Sequence, residues 1–178
     1  KHLYPDGATQ LSVRKFPTLL SQILILLKVH RFFPKLKTFK NYFLYNFDYS
    51  RDQKVDQIAG SFFLISKKIK NIIGFLDENF YIWFEEVDYC KRIKNSGFEV
   101  YYYHKVEIIH HGGSSFKQAL PYKLQKIYLK SVVYYFKKHG GRLQSFVLIL
   151  FYIPSLFLSI IYTFICSFAG KIRKNENN

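Results

Sequence analysis

The chain has 178 residues, enough for one domain and too few for two comfortable ones. Apolar residues make up 49% and aromatic residues 20%, a composition that excludes a disordered polar chain. The formal charge of +15 suits nucleic acid, anionic lipid or phosphorylated substrates, but the basic residues are dispersed and no nucleic-acid-binding signature appears, so nucleic acid is not expected as a partner.

Tyr4-Pro5-Asp6-Gly7 reads as a turn. Phe16 to Phe33 is apolar with basic interruptions and predicts a helix, with Pro17 in its first turn and Pro34 as its stop. Lys28, His30 and Arg31 make its end basic. That profile fits an amphipathic helix on a membrane surface or on a partner, and an ordinary surface helix equally well. Residues 35–54 are rich in Lys, Asn, Tyr and Phe and read as a loop. Ile58 to Ser66 predicts a short buried strand, Lys67 to Ile73 a short helix, and Gly74 to Glu78 a loop. Phe84 to Ser96 predicts a helix stopped by Gly97. Phe98 to His104 and Val106 to His110 predict two strands, and Tyr122 to Lys138 a long helix.

Ser145 to Ala169 carries no charge and is mostly apolar. At ~1.5 Å per residue it is long enough to cross a bilayer of ~30 Å. A transmembrane or membrane-associated helix over 141–170 is therefore expected, kinked at Pro154, with a basic polar tail over 171–178. A re-entrant hairpin broken at Pro154 is the other form this run allows. The two cysteines, Cys90 and Cys166, form no CxxC pair and read as buried thiols in a reducing compartment.

Two stretches carry chemistry. Glu85, Glu86 and Asp88 fall in the first turn of the helix expected from Phe84. Acids there favour the positive end of the helix dipole, which accounts for them structurally. Tyr81, Trp83 and Phe84 set apolar surface beside the same charges, and that combination raises a carboxylate pKa toward general-base use. Lys91 and Arg92 would act in the opposite sense. His110 and His111 end a strand and precede Gly112 and Gly113. Adjacent strand residues face opposite sides, so one imidazole at most enters a given site. The glycines permit close approach to a phosphate or sugar, and a neutral imidazole can complete an oxygen-rich Mn²⁺ or Mg²⁺ shell.

Five segments in series resemble a known pattern. They are Val55–Ile65 (VDQIAGSFFLI), Gly74–Phe80 (GFLDENF), Phe84–Arg92 (FEEVDYCKR), Gly97–Val100 (GFEV) and Ile109–Ser115 (IHHGGSS). In order and spacing they are similar to the C-terminal half of family 2 glycosyltransferases, in the rhamnosyltransferase-like branch that builds bacterial surface polysaccharides. The pattern there reads VDWxSGAxxx[IV]RR, GGFDExFF, FEDVDLCxR, GxxV and HHxGGS. The resemblance runs from about Pro5 to His139.

That resemblance implies an α/β fold class. Residues 1–140 would be the acceptor-side part of a GT-A glycosyltransferase domain with an incomplete sheet, and a C-terminal apolar membrane-associated helix would follow. It implies inverting transfer of a sugar from a nucleotide-sugar donor to a lipid-linked or glycan acceptor, at the cytoplasmic face of a bacterial cell membrane. Glu86 matches the catalytic base, with Glu where the family has Asp. Asp88 and Glu85 would support the site. Asp56, Gly60, Trp83, Gly112 and Gly113 would contact substrate, while Gln57 stands where the family has Trp. His110, with His111 as alternate, would touch the Mn²⁺ or Mg²⁺ of the complete enzyme. The nucleotide-binding half and its DxD motif would precede residue 1. The alternative is a non-catalytic membrane-associated remnant or subunit that needs a partner supplying that half.

Overall fold

Short strand pairs, rather than one continuous sheet, organise the first part of the chain. The computed structural model describes residues 1–112 and 121–175. Strand β1 (His2–Leu3) pairs antiparallel with β2 (Thr9–Gln10) and parallel with β7 (Ile108–Ile109). Strand β3 (Val13–Arg14) pairs antiparallel with β5 (Gln57–Ile58), and β4 (Gln53–Val55) with β6 (Val100–Tyr102). The described residues are thus mixed α/β, with three small sheets.

Around them lie eight helices among the described residues: α1 (Leu19–Leu26), α2 (Val29–Phe32), α3 (Lys37–Phe43), α4 (Lys67–Ile73), α5 (Glu85–Asn95), α6 (Pro121–His139), α7 (Arg142–Leu150) and α8 (Tyr152–Asn175). Helix α1 opens with a capping box between Thr18 and Ser21, which satisfies two otherwise orphaned backbone donors. Helix α5 has Glu85, Glu86 and Asp88 in its first turn and Arg92 and Lys94 in its last, both favourable to its dipole. Gly97 follows at φ +80°, where a side chain would be strained.

Helix α5 is the wall between two apolar cores. Phe84 and Val87 pack with Leu26, Leu129, Val132, Tyr135, Phe136 and Leu148. Tyr89, Cys90 and Ile93 pack on the other side with Val13, Val55, Val100 and Tyr102. Between these faces Asp88 is fully buried. Its Oδ1 accepts from His139 Nε2 at 2.7 Å and pairs with Lys138 Nζ at 2.8 Å, while Oδ2 accepts from Arg92 Nε at 2.9 Å. Arg92 also donates to the carbonyls of Ile73 and Phe75, each at 2.7 Å. One carboxylate thereby ties α5 to the end of α6 and, through Arg92, to the end of α4.

Several expectations need correction. The helix predicted over 16–33 is broken: Lys28 adopts φ +61° and separates α1 from α2. Its amine donates to Gln125 on α6, and that tertiary bond sets the chain direction there. The loop expected over 35–54 contains α3, because Phe39 and Tyr42, three residues apart, share a buried face. The buried strand expected over Ile58–Ser66 ends at Ile58. Ala59 makes the last bond to the neighbouring strand segment, to Ser12 at 2.7 Å, and Leu64 is 88% exposed. Lys67–Ile73 is helical as expected. The two later strands shrink to β6 and β7, where partners exist.

The apolar run over 145–169 is not one helix. No single helix among the described residues is long and apolar enough to cross a membrane, but α7 and the Tyr152–Phe164 part of α8 meet that test together, bent by 41°. Pro154 has no N–H for the Leu150 carbonyl and fits only a first turn, so α8 restarts just before it. Cys90 is buried. The Cys166 side chain lies outside the described residues.

Burial alone would raise the pKa of Asp88, but the bonds from His139, Lys138 and Arg92 outweigh it and hold the carboxyl below its ordinary value of 3.8. Stability from this group is therefore full above the unfolded value and declines as pH falls below it. We expect Asp88→Asn to cost about 3 kcal/mol or more in urea unfolding at pH 7, since it strands the partner charges. The gap to wild type should narrow below about pH 4, where the unfolded chain takes up the proton. A cost under about 0.5 kcal/mol at pH 7, the scale of an ordinary surface substitution, would mean that the carboxylate is not a structural tie.

Candidate active site

The turn that starts α5 is strained. Trp83 and Phe84 have φ of +63° and +72°, a left-handed pair in two bulky aromatic residues. Such positions cost of order 1–3 kcal/mol each and persist only where surrounding contacts over-determine them. Those contacts come from α6. Phe84 packs on Tyr128 and Tyr135 with ring centroids 5.5 and 5.4 Å apart, and Trp83 lies 6.0 Å from Tyr128. Ser131 Oγ donates to the Ile82 carbonyl at 2.8 Å. The strained turn sets where the helix begins, and so where Glu85 and Glu86 project.

Glu86 projects against Gly60. A Cβ placed on Gly60 would stand 3.4 Å from the Glu86 Cβ and 3.9 Å from its carboxyl carbon. One carboxyl oxygen of Glu86 and one of Glu85 are buried without a hydrogen-bond partner among the described residues. Leaving a buried acceptor unpaired costs about 1–3 kcal/mol, so the structure holds this acid in an unfavourable state. Burial, and then the neighbouring Glu85 charge, push the Glu86 pKa up to about 7. Arg14 is the side chain whose charge opposes that rise. The result is an acid poised near neutrality, where general-base exchange is efficient.

The imidazoles approach the same backbone segment from its other end. Ser61 Oγ lies 3.4 Å from His2 Nδ1, and the His2 and His110 rings are 5.8 Å apart. His110 Nδ1 bonds to Gln10 Oε1 at 2.7 Å. The parallel β1–β7 pair aligns these rings, with the His110 N–H bonded to the Leu3 carbonyl at 2.9 Å. Burial lowers the His2 pKa to about 4, so that ring is neutral at pH 7. A chain of contacts therefore runs from Glu86 through Gly60 and Ser61 to His2 and His110.

Other expected site residues sit apart from this chain. Asp88 is bound into the ion-pair hub, and it points away from Glu86 as two helical steps of ~100° require. Asp56 accepts from the Phe16 N–H at 3.2 Å and pairs with Lys94 at 3.2 Å and Lys15 at 3.7 Å. Trp83 faces a separate cavity between α1, α2, α6 and α8. Gly112 abuts Gln10 and His110, where a Cβ would come within 2.8 Å of the Gln10 amide nitrogen. His111 is exposed. Gly113 lies outside the described residues.

Among the described residues no group of three or more His, Cys, Asp or Glu side chains is placed to hold a metal ion. His110 offers one nitrogen beyond its bond to Gln10, and among the described residues no carboxylate is hydrogen-bonded to it. These residues do not make a Mn²⁺ or Mg²⁺ site by themselves. Sequence reasoning missed Arg14, His2, Gln10 and Ser61 around Glu86 and His110, and Lys138 and His139 around Asp88. All but Ser61, which follows Gly60, reach the site from distant segments, so no local pattern marks them. Set against known proteins, the chain matches no family model, no curated protein and no solved structure.

The raised Glu86 pKa gives a signed prediction. The unfolded chain loses this proton near 4.5, whereas the folded chain keeps it to about 7, so stability falls as pH rises across that window. Glu86→Gln removes the effect. We expect the variant to gain on the order of 1–3 kcal/mol over wild type at pH 8 and little at pH 4. Urea unfolding at both values measures this. An equal difference at the two pH values would show that Glu86 titrates as an ordinary surface acid.

Proposed function

We propose that the chain is the acceptor-side half of an inverting family 2 glycosyltransferase that acts in cell-surface glycan synthesis, with Glu86 as its general base. The observation that supports this best is the Glu86 carboxyl: partly unpaired, desolvated, and pressed against a glycine at the end of a strand. In this reading an acceptor hydroxyl gives its proton to Glu86. The hydroxyl oxygen then forms the bond to the anomeric carbon as the bond to the nucleoside diphosphate breaks. Burial, and then like-charge repulsion from Glu85, keeps the base at a useful pKa.

Gly60, where a Cβ would crowd Glu86, lets that carboxyl lie close to the backbone. His110 and the neutral His2 offer hydrogen bonds at the far end of the same segment. Asp88 acts as a positioning residue, since it fixes the helix that carries the base. A nucleotide-sugar donor would be held by a nucleotide-binding half, supplied by an adjoining or partner chain. A Mn²⁺ or Mg²⁺ held there would stabilise charge on the leaving diphosphate, with His110 contributing one ligand at most. The acceptor, lipid-linked or glycan, places the enzyme at the cytoplasmic face of a bacterial membrane.

The test is incorporation of labelled sugar by cells or membranes that carry the full-length protein. General-base removal typically costs 10²–10⁴-fold, so Glu86→Gln should lower transfer by about 100-fold or more. Glu86→Asp, which restores the family's own residue, should retain a measurable share. Transfer by wild type should rise with pH to a plateau above about 7, as Glu86 deprotonates. Unchanged transfer by Glu86→Gln would remove the assigned base and leave a non-catalytic, partner-docking subunit as the better reading.

A further inference from the structure

A concave site is lined by residues other than Glu86. A cavity of about 360 Å³ opens between α1, α2, α6 and α8. Three basic side chains, Lys28, His30 and Arg31, line it together with Trp83, Tyr128 and Tyr162. None of the described residues that line it is a carboxylate. Two cations, Lys28 and Arg31, gathered on one wall without an acid repel one another, an arrangement that an anion relieves.

Their positions are built rather than incidental. Lys28 occupies the left-handed break between α1 and α2, which directs its amine toward Gln125. Gln125 Nε2 in turn donates to Ser155 Oγ at 2.6 Å, and Ser155 Oγ to the Leu26 carbonyl at 3.1 Å. This neutral relay fixes the ammonium without neutralising it. Arg31 Nη1 donates to the Tyr162 hydroxyl at 2.7 Å and its guanidinium lies 4.3 Å from that ring, which leaves further N–H donors on the fork. Burial, and then Arg31, lower the Lys28 pKa to about 8 and the His30 pKa to about 4. His30 is therefore neutral at pH 7, while Lys28 keeps most of its charge there beside Arg31.

Apart from Gln125 and Ser159, the rest of the lining is apolar or aromatic, and apolar surface continues from it. Phe32 and Phe33, directly after Arg31, are exposed, as are Ile160, Ile161 and Phe164 beside the lining residues Ser159 and Tyr162. A free phosphate would use the cations and ignore this surface. We propose that the cavity binds the phosphoryl group of an amphiphilic phosphate ester, with Lys28 and Arg31 on the phosphate and the alkyl chain along Phe32, Phe33 and α8. The charge and lining of this cavity stand whether or not the chain transfers a sugar, and a binding readout separates the two ideas.

Trp83 is the one tryptophan in the sequence and lines the cavity, so its emission reports occupancy directly. The full chain would be titrated with decyl phosphate below its micelle concentration, in parallel with decanol and with inorganic phosphate. The expected result is a saturable change in emission with decyl phosphate, and at least tenfold weaker responses to the other two. Arg31→Gln, an exposed position, should weaken decyl phosphate at least tenfold while keeping native circular dichroism, and Lys28→Gln should do the same. Equal response to decanol would overturn phosphoryl recognition. Equal affinity for inorganic phosphate would assign a free-anion site and overturn the amphiphile. No saturable change, or a folded Arg31→Gln that binds like wild type, would overturn the site itself.

Discussion

A single buried carboxylate decides how the parts of this molecule meet. Asp88 sits where two apolar cores share one helix, and an unpaired charge there would be intolerable. It is instead met by His139 and Lys138 from the end of α6 and by Arg92 one turn along α5. Lys138 also bonds Asp77, whose carboxyl burial would raise but which this lysine, Asn79 and Tyr134 hold well below the ordinary range. Since α5, α4 and α6 all converge on this knot, the first turn of α5 has little freedom. Glu85 and Glu86 inherit that rigidity, and so does the placement of Glu86 against Gly60.

The strain at Trp83 and Phe84 belongs to the same logic. Two aromatic residues in left-handed backbone are costly, and the turn survives because their rings are packed under α6. A turn made of glycines would be relaxed but would lose the anchors. The protein instead uses apolar burial to force an abrupt helix start, with acids in its first turn and one of them desolvated. Structural support and chemical poise are therefore not rival accounts of the acidic turn: Asp88 serves the first through its ion pairs and Glu86 has the properties of the second.

Much of this was legible in the residues. The α5 and α6 helices and the short α4 follow from apolar spacing, first-turn acids and Gly97, because those signals are local. Strands were over-read. Apolar runs such as Ile58–Ser66 look like strands, but a strand needs a partner, and β3 offers only Val13 and Arg14. Helix α3 was hidden because its apolar face is only Phe39 and Tyr42 in a polar stretch. In the site, Glu86 and Gly60 were recognisable candidates, and they do meet. Arg14, His2 and Gln10 were not, since each arrives from an N-terminal strand remote in sequence. Asp88, by type and spacing, and Asp56, through the family resemblance, read as site acids. Their ion pairs with Lys138, His139 and Lys94 depend on tertiary placement that no local pattern encodes.

The order of these partners along the chain has a consequence for biosynthesis. The core around Tyr89, Cys90 and Ile93 draws on segments no later than Tyr102, so it can close early as the polypeptide leaves the ribosome. The opposite core needs Leu129 through Leu148. Until residues 138 and 139 emerge, Asp88 has Arg92 as its sole counter-ion among the described pairs. A nascent chain halted before that point would present one finished half and one bare apolar flank of α5, the kind of intermediate that chaperones hold.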